Sequence, residues 1–213
     1  MNIRHLLFDV DETLYPSSCA LWPMLRERII QYMVERVGMT RAAAEALRER
    51  YLAEYGTTTR GLYLHGQIDI GDYLRYVHDV PINSVLFNDP ALQRVLSQIA
   101  QPKHLFTNAT RTHALNVVQC LGVHDHFERI FSLEDFAYAS KPDPRPYEVV
   151  LQKLEASGEE CLLLEDSLRN LAAGKRFGMT TILVGDQTHN ADGVVDFHVA
   201  RVHDILGVLN DLN

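Results

Sequence analysis

Four short apolar runs, each followed by polar residues, constrain the fold of this chain most strongly. They cover residues 3–8, 104–106, 161–164 and 181–184. Segments with helical periodicity separate them. Short β-branched or Leu-rich runs that alternate with helices are typical of buried parallel strands in βαβ units. The alternation therefore predicts an α/β fold with a doubly wound parallel sheet.

Helix start and stop signals fill the intervals between these strands. A helix over residues 111–121 would be capped by Thr110 and would end at Gly122. Similar signals predict helices over residues 91–99, 144–156 and 167–177.

The stretch from residue 21 to residue 80 has a different pattern, because it shows helical periodicity and no strand-like run. Leu21, Leu25, Ile29 and Met33 recur at four-residue steps, and further helices are predicted over 41–55 and 71–78. A helical segment of this size after a first strand suggests a lid. We expect a core of residues 1–16 and 83–213 and a helical cap domain of residues 17–82, called the insertion below.

Charge and composition exclude several classes of partner. The formal net charge of −8 opposes binding to a nucleic-acid backbone and requires any phosphate site to carry local positive charge. No apolar stretch approaches the roughly 20 residues of a membrane span. The N-terminus lacks the pattern of a signal peptide, and three scattered cysteines suit a reducing compartment. We expect a cytoplasmic protein with neither nucleic-acid nor membrane partners; its oligomeric state stays open.

Asp9 and Asp11 follow the first apolar run directly. Ligands of open α/β folds bind at the carboxyl ends of the strands, which is where this pair would lie. One carboxylate could attack phosphorus while the other transfers protons, with a divalent cation offsetting their charge. A capping or turn pair is the alternative interpretation.

Three later segments offer matching chemistry at other strand ends. Thr107 and Asn108 could donate to phosphoryl oxygens, although Thr-Asn is also a common turn. Lys141 could balance negative charge, or be a solvated lysine in a Pro-rich turn. Glu165 and Asp166 could bind Mg²⁺, or Asp166 could simply cap a helix. Together with the first acidic pair, these residues supply every part needed for phosphoryl transfer.

The chain at this point resembles the haloacid dehalogenase superfamily over nearly its whole length. The four motifs of that family are similar to Asp9-Val10-Asp11-Glu12-Thr13, Thr107, Lys141 and Glu165-Asp166-Ser167. The resemblance implies that Asp9 is the phosphorylated nucleophile and Asp11 the acid/base. It also implies that Mg²⁺ is bound by Asp9, the main-chain carbonyl of Asp11 and Asp166, with Glu165 as an additional candidate ligand.

Three segments resemble, more narrowly, the pyrimidine 5′-nucleotidase-like branch. They are Asp11-Glu12-Thr13-Leu14-Tyr15-Pro16, Tyr55-Gly56-Thr57-Thr58-Thr59-Arg60-Gly61-Leu62 and Glu165-Asp166-Ser167-Leu168-Arg169-Asn170. The resemblance implies a phosphomonoesterase for small phosphorylated metabolites, first of all pyrimidine nucleoside 5′-monophosphates. Sugar phosphates, pyridoxal phosphate, a phosphomutase reaction and a non-catalytic binding module are the alternatives. Arg60, in what the sequence suggests is a Gly- and Thr-rich turn, either contacts substrate or lies on the surface.

Overall fold

Six parallel strands form one sheet in the computed structural model, which describes residues 2–66, 68–185 and 193–212. The strands are β1 (His5–Phe8), β2 (Lys103–Phe106), β3 (Arg129–Phe131), β4 (Cys161–Glu165), β5 (Thr180–Val184) and β6 (Phe197–Val199). Their spatial order is β3-β2-β1-β4-β5-β6. This topology confirms the predicted α/β class. The prediction omitted β3 and β6, which are three-residue edge strands without a continuous apolar run.

Four helices fill the described part of the insertion. They are α1 (Leu21–Glu35), α2 (Arg41–Tyr55), α3 (Thr58–Leu64) and α4 (Ile70–His78). Helix α1 packs against α2 and α4, and α2 packs against α3. The Gly- and Thr-rich segment was expected to be a turn, but it forms α3, because the Thr57 hydroxyl caps that helix by accepting from the Arg60 main-chain N–H at 3.1 Å.

The remaining helices pack on the sheet. They are α5 (Pro90–Ser97), α6 (Arg111–Cys120), α7 (Pro144–Leu154), α8 (Leu168–Arg176) and α9 (Ile205–Leu212). Thr110 caps α6 as predicted, by accepting from the His113 main-chain N–H at 3.2 Å. Helix α8 begins after Ser167, so Asp166 is not its N-cap. Among the described residues no helix has the length and apolar character to cross a bilayer.

The side chains of β1 alternate between two buried clusters, as expected for a strand covered on both faces. Leu6 and Phe8 belong to one cluster with Val117 of α6, whereas Leu7 joins Tyr147 of α7 in the other. The hydrophobic core therefore lies on both sides of the sheet.

Strand register decides where the polar residues meet. Phe8, the last residue of β1, pairs with Leu105 on one side and with Leu164 on the other. The carboxyl ends of these central strands are therefore level. Residues that follow the strands emerge together at one edge of the sheet.

Candidate active site

Lys141 lies at the centre of this edge, with a side chain that is 0% exposed. Its Nζ donates to Asp9 Oδ1 at 2.9 Å, to Glu165 Oε1 at 2.7 Å and to the main-chain oxygen of Phe106 at 2.6 Å. Burial excludes the alternative of a solvated turn lysine. One ammonium group thus joins the carboxyl ends of β1, β2 and β4.

The negative groups here exceed the positive charge that balances them. Burial raises the pKa of Asp9 to about 7, although Lys141 opposes the shift. Burial also raises the pKa of Asp166 to about 9, with Glu165 and Asp9 adding to the effect. Burial would lower the pKa of Lys141, but Asp9 and Glu165 outweigh it and the net shift is upward. A second cation would favour the ionised forms of Asp9 and Asp166.

The donor set fits a magnesium ion. Carboxylate oxygens of Asp9, Glu165 and Asp166 lie within 4.8 Å of one another. Hard oxygen ligands of this kind suit Mg²⁺ better than zinc. Glu165 is the most engaged of the three, because Oε1 accepts from Lys141 and from Asn170 at 2.6 Å, and Oε2 accepts from a main-chain N–H at 2.9 Å. Asp9 and Asp166 therefore have the freer oxygens, and Glu165 holds Lys141.

Asp11 is held from one side only. Its Oδ1 accepts from the Tyr15 hydroxyl at 2.6 Å and lies 2.8 Å from His113 Nε2, while no hydrogen bond to Oδ2 is present among the described residues. Burial would raise the pKa of Asp11, but His113 and then Tyr15 outweigh it, so the pKa lies below its ordinary range. The bound oxygen fixes the orientation of the carboxyl group, and Oδ2 has neither of these contacts.

His78, the last residue of α4, continues this chain of contacts into the insertion. Its ring centroid lies 4.7 Å from that of His113, and its Nδ1 lies 2.9 Å from the main-chain oxygen of Leu74. Burial, followed by the neighbouring His113, lowers the pKa of His78 to about 4. The insertion therefore packs a neutral imidazole directly against the histidine that holds Asp11.

Thr107 and Asn108 have different surroundings. Thr107 is buried, and its Oγ1 accepts from the Ala109 main-chain N–H at 3.0 Å, so its own hydroxyl hydrogen stays available to donate. The Asn108 amide bonds both main-chain groups of Lys141, accepting from its N–H at 2.7 Å and donating to its oxygen at 3.0 Å. Asn108 thus positions Lys141 and keeps one amide hydrogen for a ligand.

A cavity of about 440 Å³ lies between these residues and the insertion. The sheet edge contributes Asp9, Asp11 and Asp166, and the insertion contributes Trp22 and Arg48 among others. A volume of this order is typical of small-molecule sites.

Arg60 does not line this cavity. Its Nη1 lies 3.5 Å from the main-chain oxygen of Tyr138, and its guanidinium carbon lies 5.9 Å from the ring centroid of Tyr63. The structure therefore does not bring Arg60 together with the other predicted site residues.

The insertion is fastened to the core beside the cavity. Arg169 Nη1 and Nη2 donate to the main-chain oxygens of Leu52 and Ala53, at 2.8 and 2.9 Å, in the last turn of α2. Gly56 follows that helix with a φ of 82° and packs so closely on Pro142 that an added Cβ would lie 2.5 Å from its Cδ. The arrangement needs glycine both for the left-handed conformation and for the close approach.

Comparison with known proteins assigns the family. The family model described as haloacid dehalogenase-like hydrolase matches residues 3–178. The chain belongs to the haloacid dehalogenase-like hydrolases. It is 27% identical over 208 residues to phosphate metabolism protein 8 of Saccharomyces cerevisiae, covering 88% of this chain and 64% of the yeast protein.

Two further similarities agree with this assignment. Over 189 residues the chain is 27% identical to a phosphoglycolate phosphatase of Pectobacterium atrosepticum, covering 84% of this chain and 79% of that protein. A phosphatase structure from Thermococcus onnurineus superposes with a TM-score of 0.65 at 16% identity, covering 97% of this chain and 98% of the other. The last match shows the fold.

Seven of the predicted residues lie at one edge of the sheet: Asp9, Asp11, Thr107, Asn108, Lys141, Glu165 and Asp166. Sequence reasoning missed the partners of Asp11. Tyr15 had a usable signal, since it stands four residues after Asp11, and His113 stands in the first turn of the helix that follows β2.

Proposed function

We propose that this chain is a Mg²⁺-dependent phosphomonoesterase that works through an aspartyl-phosphate on Asp9. The contact of the buried Lys141 ammonium with Asp9 is the observation that carries the proposal, because it fixes one carboxylate in the lining of the cavity. Asp11 stands beside it with one oxygen free. A nucleophile and an acid/base on the same strand end are what phosphoryl transfer to a carboxylate requires.

The first half-reaction follows from these positions. Lys141 holds Oδ1 of Asp9, so the other oxygen attacks phosphorus, and the bond from phosphorus to the leaving oxygen breaks. The pKa of Asp11 is lowered in the ligand-free protein, so its carboxylate must first take up a proton; the negative charge of an incoming phosphate favours this uptake. Protonated Asp11 then gives that proton from Oδ2 to the departing oxygen. Thr107 and the remaining Asn108 amide hydrogen would donate to the phosphoryl oxygens.

The second half-reaction reverses the role of Asp11. Its carboxylate, kept in the ionised form by His113 and Tyr15, takes a proton from water. The water oxygen then bonds to phosphorus, inorganic phosphate leaves, and Asp9 is regenerated.

A bound divalent cation would offset the repulsion between the carboxylates and a phosphate dianion. Asp9, Asp166 and the main-chain carbonyl of Asp11 would hold it, with Glu165 as an additional candidate.

Pyrimidine nucleoside 5′-monophosphates are the substrates that we propose first. The cavity of about 440 Å³ is large enough for a nucleotide, whereas a two-carbon phosphate ester would leave much of it empty. We also propose a cytoplasmic location, in keeping with three cysteines that are all free.

The test is hydrolysis of p-nitrophenyl phosphate and UMP with Mg²⁺ and with a chelator. We expect activity only with the metal. Asp9→Asn should fold normally and lose on the order of 10³-fold or more in kcat. Asp125→Asn, at a fully exposed carboxylate, is the matched control. Phosphatase activity of normal rate in Asp9→Asn would contradict the assigned nucleophile.

The role of Asp11 needs a separate measurement. Asp11→Asn should slow turnover most for esters with poor leaving groups, because those depend on proton donation. An equal loss for p-nitrophenyl phosphate and UMP would argue against acid catalysis by this residue.

A further inference from the structure

Arg48 in helix α2 is a buried cation. Only 7% of the residue is exposed, and no acceptor for its Nε is present among the described residues. No ion pair between Arg48 and an acidic side chain occurs in residues 2–66, 68–185 and 193–212, although Glu49 is the next residue in the chain. An arginine is rarely buried with a guanidinium N–H donor left unpaired.

This placement opposes the folded state of the empty protein. Burial lowers the pKa of Arg48, and the charge of Arg26 adds to the effect. Buried polar groups are normally hydrogen-bonded, and unsatisfied ones in native proteins require a specific explanation. Because Arg48 lines the cavity, a ligand in the cavity can supply the missing acceptor.

The residues around Arg48 indicate the shape and polarity of that ligand. Trp22, Leu25 and Ile29 line the cavity at positions i, i+3 and i+7 of α1, so one apolar helix face forms a wall. Leu52, one turn after Arg48, extends the apolar surface along α2. A flat, weakly polar body with an acceptor at its edge fits this lining.

Helix geometry gives the length of the ligand. The end of α2 contacts the core where Gly56 packs on Pro142, next to Lys141. Arg48 precedes Gly56 by eight residues, which places it about 12 Å further along the helix axis at 1.5 Å per residue. A group that reaches Arg48 from the phosphoryl position therefore spans several bonds more than a two-carbon ester does.

We propose that Arg48 sets substrate specificity by donating to a ring carbonyl oxygen of a pyrimidine nucleoside 5′-monophosphate. The ribose spans the distance from the phosphoryl group, and the base lies against the apolar face of α1. This assignment rests on the proposed phosphatase function and extends it to the recognition of the base.

The experiment compares UMP with ribose 5-phosphate, which has the same phosphate ester and no base. Arg48→Met removes the charge and the donors but keeps a long side chain. We expect the ratio of kcat/KM for UMP to that for ribose 5-phosphate to fall about 10- to 100-fold, the usual loss for a hydrogen bond to a charged group. Arg48→Lys should recover part of this ratio.

Arg50→Met is the matched control, because Arg50 is an exposed arginine on the same helix. It should keep the wild-type ratio. Removing an unpaired buried charge should also raise the Tm of the ligand-free Arg48→Met variant, whereas the upward shift in Tm that UMP gives the wild type should shrink. If Arg48 had a purely structural role, Arg48→Met would lower kcat/KM equally for the two substrates and would lower Tm.

The outcomes separate the two proposals. Equal loss of activity on both substrates, or an unchanged ratio, overturns the role of Arg48 and leaves the phosphatase intact. If the wild type hydrolyses neither ester, the proposed function fails. The role of Arg48 can then still be tested by the rise in Tm that UMP causes in the wild type. Loss of this rise in Arg48→Met would support base recognition by Arg48, and an unchanged rise would refute it.

Discussion

Lys141→Met tests whether one buried ammonium group holds the site together. Wild-type Lys141 bonds Asp9, Glu165 and the main-chain oxygen of Phe106, and its side chain is fully buried. Methionine fills a similar volume but leaves two carboxyl groups close together without their cation. The variant should therefore lose stability as well as activity.

The expected loss is large. Breaking a buried ion pair by removing one partner costs about 3–5 kcal/mol, a sizeable part of the roughly 5–15 kcal/mol that stabilises a typical domain. For a chain of this length that corresponds to a fall in Tm of about 6–20 °C. Adding Glu165→Gln to Lys141→Met removes one of the two buried carboxyl groups that have lost their cation, and it should restore part of the lost stability.

The assay is urea unfolding in the presence of a chelator, for both single variants and for the double variant. Lys153→Met is the control, because its 2.6 Å ion pair with Asp135 is partly exposed and should contribute less than about 1 kcal/mol. If Lys141→Met unfolds at the wild-type urea concentration, or if the double variant is no more stable than it, the reasoning is refuted. Phosphatase activity should be low in Lys141→Met and in the double variant, because Asp9 has lost the ammonium group that positions it.

Three further predictions follow from other contacts. His113→Phe removes a hydrogen bond that supports the ionised Asp11 carboxylate, which takes the proton from water when the phosphorylated Asp9 is hydrolysed. That step is common to all substrates, so turnover of UMP and of p-nitrophenyl phosphate should both fall about 10- to 100-fold, and wild-type turnover of either ester would contradict this. Burial lowers the pKa of His104 from its ordinary value of 6.5 to about 4 in the folded protein. As the pH falls from 6.5 to 4, the unfolded chain therefore binds a proton at His104 that the folded protein does not, and the free energy of unfolding should fall by up to about 3 kcal/mol. Urea unfolding of His104→Leu should show a smaller loss of stability over this pH range, and a loss equal to that of the wild type would refute the assignment. Gly56→Ala should lower kcat/KM. Gly66 also has a positive φ, but an added Cβ there would have no described atom beyond its chain neighbours within 4 Å, so Gly66→Ala should leave kcat/KM unchanged; equal effects would point to backbone strain instead of the close contact.

Local patterns in the sequence predicted most of the core. Helix caps such as Thr110, and apolar periodicity such as that of α1, act within a few residues and can be read without a structure. The strands β3 and β6 could not be found in this way, because short edge strands carry little apolar signal.

The site was predictable only in part, for a related reason. Residues at the ends of apolar strands converge in any parallel sheet, so Asp9 after β1 and Asp166 after β4 could be placed together. The contact of Asp11 with His113 spans 102 positions, and the isolation of Arg48 depends on how α1 and α2 pack. Such pairings arise from tertiary packing, which residue types and spacing do not encode.

The two bonds from Arg169 to the end of α2 bear on how molecules enter the interior. Arg169 stands three residues after Asp166, on the helix that starts beside the carboxylates, and it neutralises the carbonyl end of a helix dipole. Any swing of α2 away from the sheet must first break these bonds. The rate at which a ligand enters the cavity would then depend on Arg169, independently of the residues that contact the phosphoryl group.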